Sequence, residues 1–372
     1  MLKMKPWREA ASIILCARSG KKINKKLSST IFQYDYKLLS LKRHKNSSFM
    51  PEHYVFPGGV IEQSDADLKW SSLYSKFGFD SNSFTSLLPK TNTRPYIFNK
   101  SRSNELPREI SLRITAIRET FEECGILICK KLIKNNNTHL SLWAEHENFD
   151  CQSDVMINWQ KKVHEDSNEF YRMCDKFQCY PDIWALHEWS NWLTPTIFRN
   201  KRFDTAFFMT FMEAQPVAHF DPAEMEDLRW DYPQDLLSQT NGLQIPPPQY
   251  YEIARIGKFE SLDNLFDHAV ERSHLGCHLN MAVKVNLSDG SVYLLPGDSL
   301  YPDEVSLTDK MEIDKSNMTI SEYRYLAHVK NRMEFYEFQV QRIVSDNFQS
   351  NDGHLSPMSG ESINIKINKN KL

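Results

Sequence analysis

Arg118-Glu119-Thr120-Phe121-Glu122-Glu123-Cys124-Gly125-Ile126 is the stretch on which the reading of this chain turns. Glu119, Glu122 and Glu123 stand at i, i+3 and i+4, so on a helix their carboxylates share one face. Just ahead, Ile110, Ile114, Ile117 and Phe121 fall at helical spacing and form one apolar stripe. Pro107 suits a first turn and Gly125 suits a C-cap. The spacing predicts a helix between them, packed on its stripe with its acids turned away. Like charges at these offsets repel and weaken a helix. Hard oxygen donors clustered on a rigid element suit Mg²⁺ or Mn²⁺. The competing reading is a solvated acidic face. Arg118 before the first glutamate, Gly125 after the last and Phe56-Pro57-Gly58-Gly59 upstream weigh against it.

Outward from this helix, residues 10–18 and 36–43 read as apolar strands joined by a basic loop with Gly20, Lys21, Lys22, Lys25 and Lys26. Residues 64–106 are polar and rich in Ser and Asn, and residues 135–190 are polar and expected to be partly helical. Residues 203–213 read as a buried strand, and 224–237 as a strand followed by a short helix at Pro233. Pro246-Pro247-Pro248 is a stiff break before a helix expected over Tyr250–Arg272. Asp289-Gly290, between two apolar runs, predicts a hairpin. From about Asp346 the chain turns polar and reads as a flexible tail.

Composition narrows the classes. The 372 residues are 41% hydrophobic and 25% charged, which suits a globular protein and excludes a mainly disordered or collagen-like one. The chain contains no apolar run of the length that a membrane-spanning helix needs. A formal net charge of −3 disfavours a global grip on nucleic acid. The seven cysteines are scattered without a C-x-x-C pair and read as free thiols in a reducing compartment. Cys174 and Cys179 come closest to a ligand spacing, with no second pair following. Gly297-Asp298-Ser299-Leu300 spells a lipase motif far from where that family carries it, and reads as a turn.

Arg118 to Ile126 resembles R-E-U-x-E-E-x-G-U, the second half of the Nudix box, with Thr120 a loose match. The first half, G-x5-E, would begin at Gly59 and meets Asp65 where the family has Glu. Residues 66–117 separate the halves, in place of a short spacer. A box split this way is similar to one animal branch of the Nudix hydrolases, the peroxisomal acyl-coenzyme A diphosphatases. The likeness extends to Trp7, Arg8, Ala10 and Ala11, to Phe49-Met50-Pro51 with His53 and Val55 to Gly59, to Pro246–Gln249 and to Leu295–Asp298.

The resemblance implies a Nudix α/β/α sandwich: a mixed sheet between helices, elaborated by large insertions and a C-terminal extension. It implies hydrolysis of the diphosphate of coenzyme A and acyl-CoA to 3′,5′-ADP and (acyl-)4′-phosphopantetheine. Glu119, Glu122 and Glu123 would hold Mg²⁺ or Mn²⁺. Arg118 would orient them, and Gly59 and Gly125 would permit tight loops. Glu119 and Glu122 are both candidates for the base. The 3′-phosphate calls for a basic contact, and Lys42, Arg43, His44 and Lys45 form the nearest cluster, with Arg43, Gly58 and Gly59 expected at the substrate. The expected organisation is a Nudix domain over 6–242, with insertions at about 66–106 and 135–190 that would build an acyl pocket or lid. A C-terminal extension over 243–345 and a flexible tail over 346–372 follow. Asn370-Lys371-Leu372 matches two positions of the Ser-Lys-Leu peroxisomal address, implying an import receptor as partner. The alternatives are a Nudix hydrolase of ADP-ribose or NADH, or a Nudix-fold binding protein without catalysis.

Overall fold

The computed structural model describes residues 6–20, 34–91, 94–100, 102–131, 141–147, 153–238, 241–336 and 339–360. The basic loop at Lys21–Lys26, part of the 135–190 segment and the Asn370-Lys371-Leu372 terminus lie outside the described residues.

The strands up to residue 281 are β1 (Arg8–Arg18), β2 (Tyr36–Arg43), β3 (Tyr54–Val55), β4 (Gly58–Val60), β5 (Cys129–Lys131), β6 (Cys179–Pro181), β7 (His187–Leu193), β8 (Phe203–Met212), β9 (Met225–Asp231) and β10 (Leu279–Met281). Eight of them form one sheet in the order β10-β7-β8-β1-β2-β3, with β4 paired to β1 and β9 to β2. β5 and β6 make a separate two-stranded ribbon. β1 runs parallel to β8 but antiparallel to β2 and β4, so the sheet is mixed.

The apolar run of β1 has a direct cause. Alternate side chains of a strand face opposite sides of its sheet, and both sides here are covered. Ala11, Ile13, Leu15 and Ala17 enter one core; Ile14 and Cys16 enter the other. β8 divides the same way, Ala206 and Phe208 to the first core and Phe207, Met209 and Phe211 to the second. The first core is closed by α1 (Lys69–Lys76), α2 (Tyr96–Asn99), α3 (Arg108–Cys124), α4 (Ser153–Glu165) and α5 (Asn168–Phe177). The second is closed by α6 (Pro233–Leu236), α7 (Pro247–Ile256) and α8 (Leu262–Ser273). Helices on both faces of a mixed sheet are the expected α/β/α sandwich. The insertion aromatics Trp70, Tyr74, Trp159 and Trp184 are buried in the first core.

A second sheet follows, of β11 (Val283–Leu287), β12 (Gly290–Leu294), β13 (Glu312–Lys315), β14 (Lys330–Tyr336) and β15 (Gln339–Asp346), with α9 (Ile320–Tyr325) packed on it. Leu287 pairs with Gly290, so Asp289-Gly290 is the hairpin turn. Asp298 is buried in a pair with Arg332, which makes the Gly297–Leu300 stretch a structural turn.

Two differences from expectation have physical reasons. The helix expected over Tyr250–Arg272 is two, α7 and α8, because Gly257 caps the first and the Glu260 carbonyl accepts from the Asp35 amide. The chain past Asp346 was expected to be a flexible tail, but up to Gly360 it packs. Asp352 pairs with Arg272, the Met358 amide bonds Ala254, and His354 and Met358 are buried. The segment 135–190 is partly helical as expected, in α4 and α5, and ends inside β7, a strand of the large sheet.

Candidate active site

α3 begins after Pro107 and ends at Gly125, whose φ of 70° is a left-handed C-cap open to glycine at little cost. Its apolar stripe is buried as predicted: Ile110, Ile114, Ile117 and Phe121 are all in the first core. Its acids are not turned to solvent. Glu122 and Glu123 are 8% and 2% exposed, which rules out the solvated acidic face.

Arg118 organises this buried charge. Its guanidinium is 2.8 Å from Asp65, 2.9 Å from Glu119 and 2.5 Å from Glu122, and it donates to the Val60 carbonyl at 3.1 Å. Asp65 takes both Nε and one terminal nitrogen of Arg118, each at 2.8 Å, and accepts from Thr115 Oγ1 and the Glu62 amide. The residues inserted after Asp65 therefore do not displace it from the helix. Asp65 anchors the arginine that spaces the glutamates.

The loop at β4 approaches the other side. The Gly58 amide donates to Glu123 Oε2 at 2.9 Å. A Cβ on Gly59 would lie 2.4 Å from the Glu119 carboxylate, so only glycine lets the strand and that acid meet. This close approach is the reason for the Gly-Gly pair.

Burial sets the protonation balance. It pushes Glu122 up to about 8, against the pull of Arg118 and with a push from Glu119. Burial likewise raises Glu119 and, more strongly, Glu123, with nearby Glu224 adding to both. Burial works against the charge on Arg118, but Asp65 and Glu119 outweigh it and raise its pKa. One arginine thus faces several buried carboxylates. Hard oxygen donors carrying unmet negative charge fit a divalent cation. Arg118 stands between Glu119 and Glu122, and the three glutamate side chains do not close into a group with ligand atoms within 4.8 Å of one another.

Glu119 and Glu123 line a cleft of about 1120 Å³, together with Arg43, Gly58 and Gly59. Glu122 lies behind that wall. The basic cluster splits: Lys42 and His44 face Glu226, and Lys45 donates its amide to it. Arg43 instead turns to the cleft, donating to Phe49 O at 3.1 Å. Sequence reasoning missed Glu62, Glu224, Arg8 and Lys201, which also line the cleft. Glu62 is signalled by its place in the loop after Gly59 and Arg8 by its place in the Trp7–Ala11 likeness; no local pattern marks Glu224 and Lys201.

The cleft runs from the acids to an apolar end. Phe49, Phe198 and Phe203 form part of it, and Tyr293, Met333 and Phe335 of the second sheet close it. This corrects the expectation for the insertions. Among the described residues, none that lines the cleft comes from 66–106 or 135–190, because most of the described parts of those segments pack into the first core on the far side of the sheet.

A split R-E-x-x-E-E helix set against a Gly-Gly strand, on an α/β/α sandwich, defines a Nudix hydrolase site. The family described as the NUDT19 Nudix domain matches residues 7–256, and the NUDT19 C-terminal domain matches 284–344. A Xenopus laevis protein named acyl-coenzyme A diphosphatase NUDT19 is 34% identical over 388 residues, 99% of each chain. The Homo sapiens protein of that name is 32% identical over 82% of this chain and 83% of its own. The chain belongs to the NUDT19 family of Nudix hydrolases. Among solved structures it is similar to a NUDIX hydrolase from Alicyclobacillus acidocaldarius, 18% identical with a TM-score of 0.48, covering 71% of this chain and 97% of that one.

Proposed function

We propose that this chain hydrolyses the diphosphate of coenzyme A and acyl-CoA, giving 3′,5′-ADP and (acyl-)4′-phosphopantetheine, with Mg²⁺ or Mn²⁺ held by Glu119, Glu122 and Glu123. The observation that carries the reading is the cleft, which joins a buried acid cluster to an apolar end. Coenzyme A has the same polarity, with a diphosphate in the middle and a pantetheine or acyl arm beyond it. The names of the Xenopus and human relatives support the substrate.

When bound, the ion neutralises charge on the diphosphate and makes a water more acidic. The chain's own residues do the rest. Arg118, held by Asp65, positions Glu119 and Glu122. The Gly58 amide fixes Glu123. Arg43, Arg8 and Lys201 offer cations to the phosphates along the cleft. Glu119 faces the cleft and Glu122 does not, which favours Glu119 to take a proton from the attacking water. The aromatic end excludes water from the pantetheine arm.

Purified protein with Mg²⁺ or Mn²⁺ is incubated with CoA, acyl-CoA, ADP-ribose and NADH beside the Glu122→Gln variant. Release of 3′,5′-ADP from the CoA compounds alone supports the reading. Preference for ADP-ribose or NADH sinks it. The proposal extends to residence in the peroxisome through an import receptor reading Asn370-Lys371-Leu372. Deleting Lys371 and Leu372 then leaves a tagged chain in the cytosol; unchanged import refutes the address.

A further inference from the structure

Cys129, Cys174 and Cys179 are dispersed in sequence and converge in space. Their sulfurs all lie within 4.8 Å of one another, the only such group of three His, Cys, Asp or Glu side chains among the described residues. Each comes from a different element. Cys129 opens β5, five residues beyond the end of α3; Cys174 sits in the last turns of α5; Cys179 opens β6. All three are buried, at 1%, 0% and 0% exposure.

Backbone geometry holds them there. The β5–β6 ribbon pairs Cys129 with Pro181 and Lys131 with Cys179. At the end of α5, Gln178 takes a left-handed conformation, φ 52° and ψ 56°, and turns the chain so that Cys179 returns toward Cys174. A side chain other than glycine, Asn or Asp in that region is uncommon and strained. Cys16, Cys124 and Cys277 are also buried but join no such group.

We infer that Cys129, Cys174 and Cys179 bind a soft, thiophilic d¹⁰ cation, Zn²⁺ or Cu⁺, which ties α5 to the strand leaving the acid helix. Thiolate sulfur selects these ions, whereas the carboxylates of α3 suit hard ones. Zinc–sulfur bonds of about 2.3 Å put the sulfurs of one tetrahedral site about 3.8 Å apart. The observed spacing requires a contraction of about 1 Å at most. A disulfide would need two sulfurs at about 2 Å and would strand the third. On binding, the coordinating thiols lose their protons to solvent while the ion keeps its oxidation state. Three ligands leave Zn²⁺ a fourth position for a water or small thiol, while Cu⁺ accepts three-coordination.

The test uses the untagged full chain in Mg²⁺ buffer. Titration with Co²⁺ is expected to give thiolate-to-cobalt charge-transfer absorption that saturates at one equivalent and is abolished by Zn²⁺. Carboxylate sites give no such absorption, so ions at the glutamates do not interfere. Cys174→Ser and Cys179→Ser lose the signal; Cys277→Ser keeps it. Because a serine variant can fail to fold, wild-type protein is also read by native mass spectrometry after adding Zn²⁺ or, under reducing conditions, Cu⁺. Retention of one such ion with loss of protons, and a rise in Tm of several degrees, supports the site. Absent charge transfer, with neither Zn²⁺ nor Cu⁺ retained, overturns it and leaves the cysteines as core packing.

Discussion

Two buried charge clusters in this molecule differ in their balance. In the C-terminal sheet Asp298 and Arg332 are both fully buried and face each other at 2.6 Å, and Asp298 also accepts the Asn331 amide. Each charge there has its partner. On α3, Arg118 alone touches Asp65, Glu119 and Glu122, with Glu123 beside them. Burying an unmatched charge costs free energy that folding has no reason to spend on structure alone. A matched pair therefore marks scaffold, and an unmatched excess marks a place completed by a ligand.

The contrast can be broken from either side. Arg332→Met leaves Asp298 buried without its countercharge, and should cost about 3–5 kcal/mol of stability while the folded fraction keeps its specific activity. Denaturant unfolding beside steady-state kinetics checks this; a loss of activity per folded molecule would erase the distinction. Glu122→Gln should do the reverse. It should lower kcat by about 10²–10³-fold, as loss of a preorganised charged group does. Its Tm should hold, because burial already favours a neutral Glu122 and Arg118 keeps Asp65 and Glu119 as partners. A variant keeping wild-type kcat would show that the excess charge serves something else.

A buried group with no charge to match sharpens the comparison. His187 on β7 is desolvated and its pKa falls from 6.5 to about 4. Between those values the unfolded chain binds the extra proton, so the stability His187 protects is complete above pH 6.5 and is lost as pH falls to 4. Its contribution is about 3 kcal/mol. His187→Gln should flatten Tm against pH in that window; an unchanged slope would assign the acid sensitivity elsewhere. Smallest is the cleft cation. Arg43→Ala should raise KM for CoA about tenfold with little change in kcat, the worth of one charge-assisted contact. Lys42→Ala should do less, since Glu226 already occupies Lys42.

Much of this was legible in the sequence for local reasons. The α3 stripe, its Gly125 cap, β1, β2, β8 and the Asp289-Gly290 turn each follow from periodicity or turn chemistry within a few residues. What was not legible depends on distant pairing. Nothing local shows that Asp65 keeps its place on Arg118 across the residues between them. Nothing local shows that Tyr293 and Phe335 close the cleft while the insertions turn to the opposite face. The break between α7 and α8 rests on Asp35, far upstream. The cysteine trio was half visible, as Cys174 and Cys179, because its third member arrives by way of the β5–β6 ribbon.

The parallel pairing of β1 with β8 also governs how the chain can be made. Ala11 lies beside Ala206, and the ladder extends from Arg8–Phe203 to Ala17–Met212. At about 5–20 residues per second of synthesis, the first strand waits roughly 10–40 s before its partner leaves the ribosome. Throughout that time β1 can pair with β2 and β4 and meet α3, but the edge meant for β8 stays open. Closing so long a loop is slow in any refolding experiment as well. The β1–β8 seam at the centre of the sheet is thus among the last contacts of that sheet to form, and the nascent chain carries one open apolar strand edge until β8 arrives.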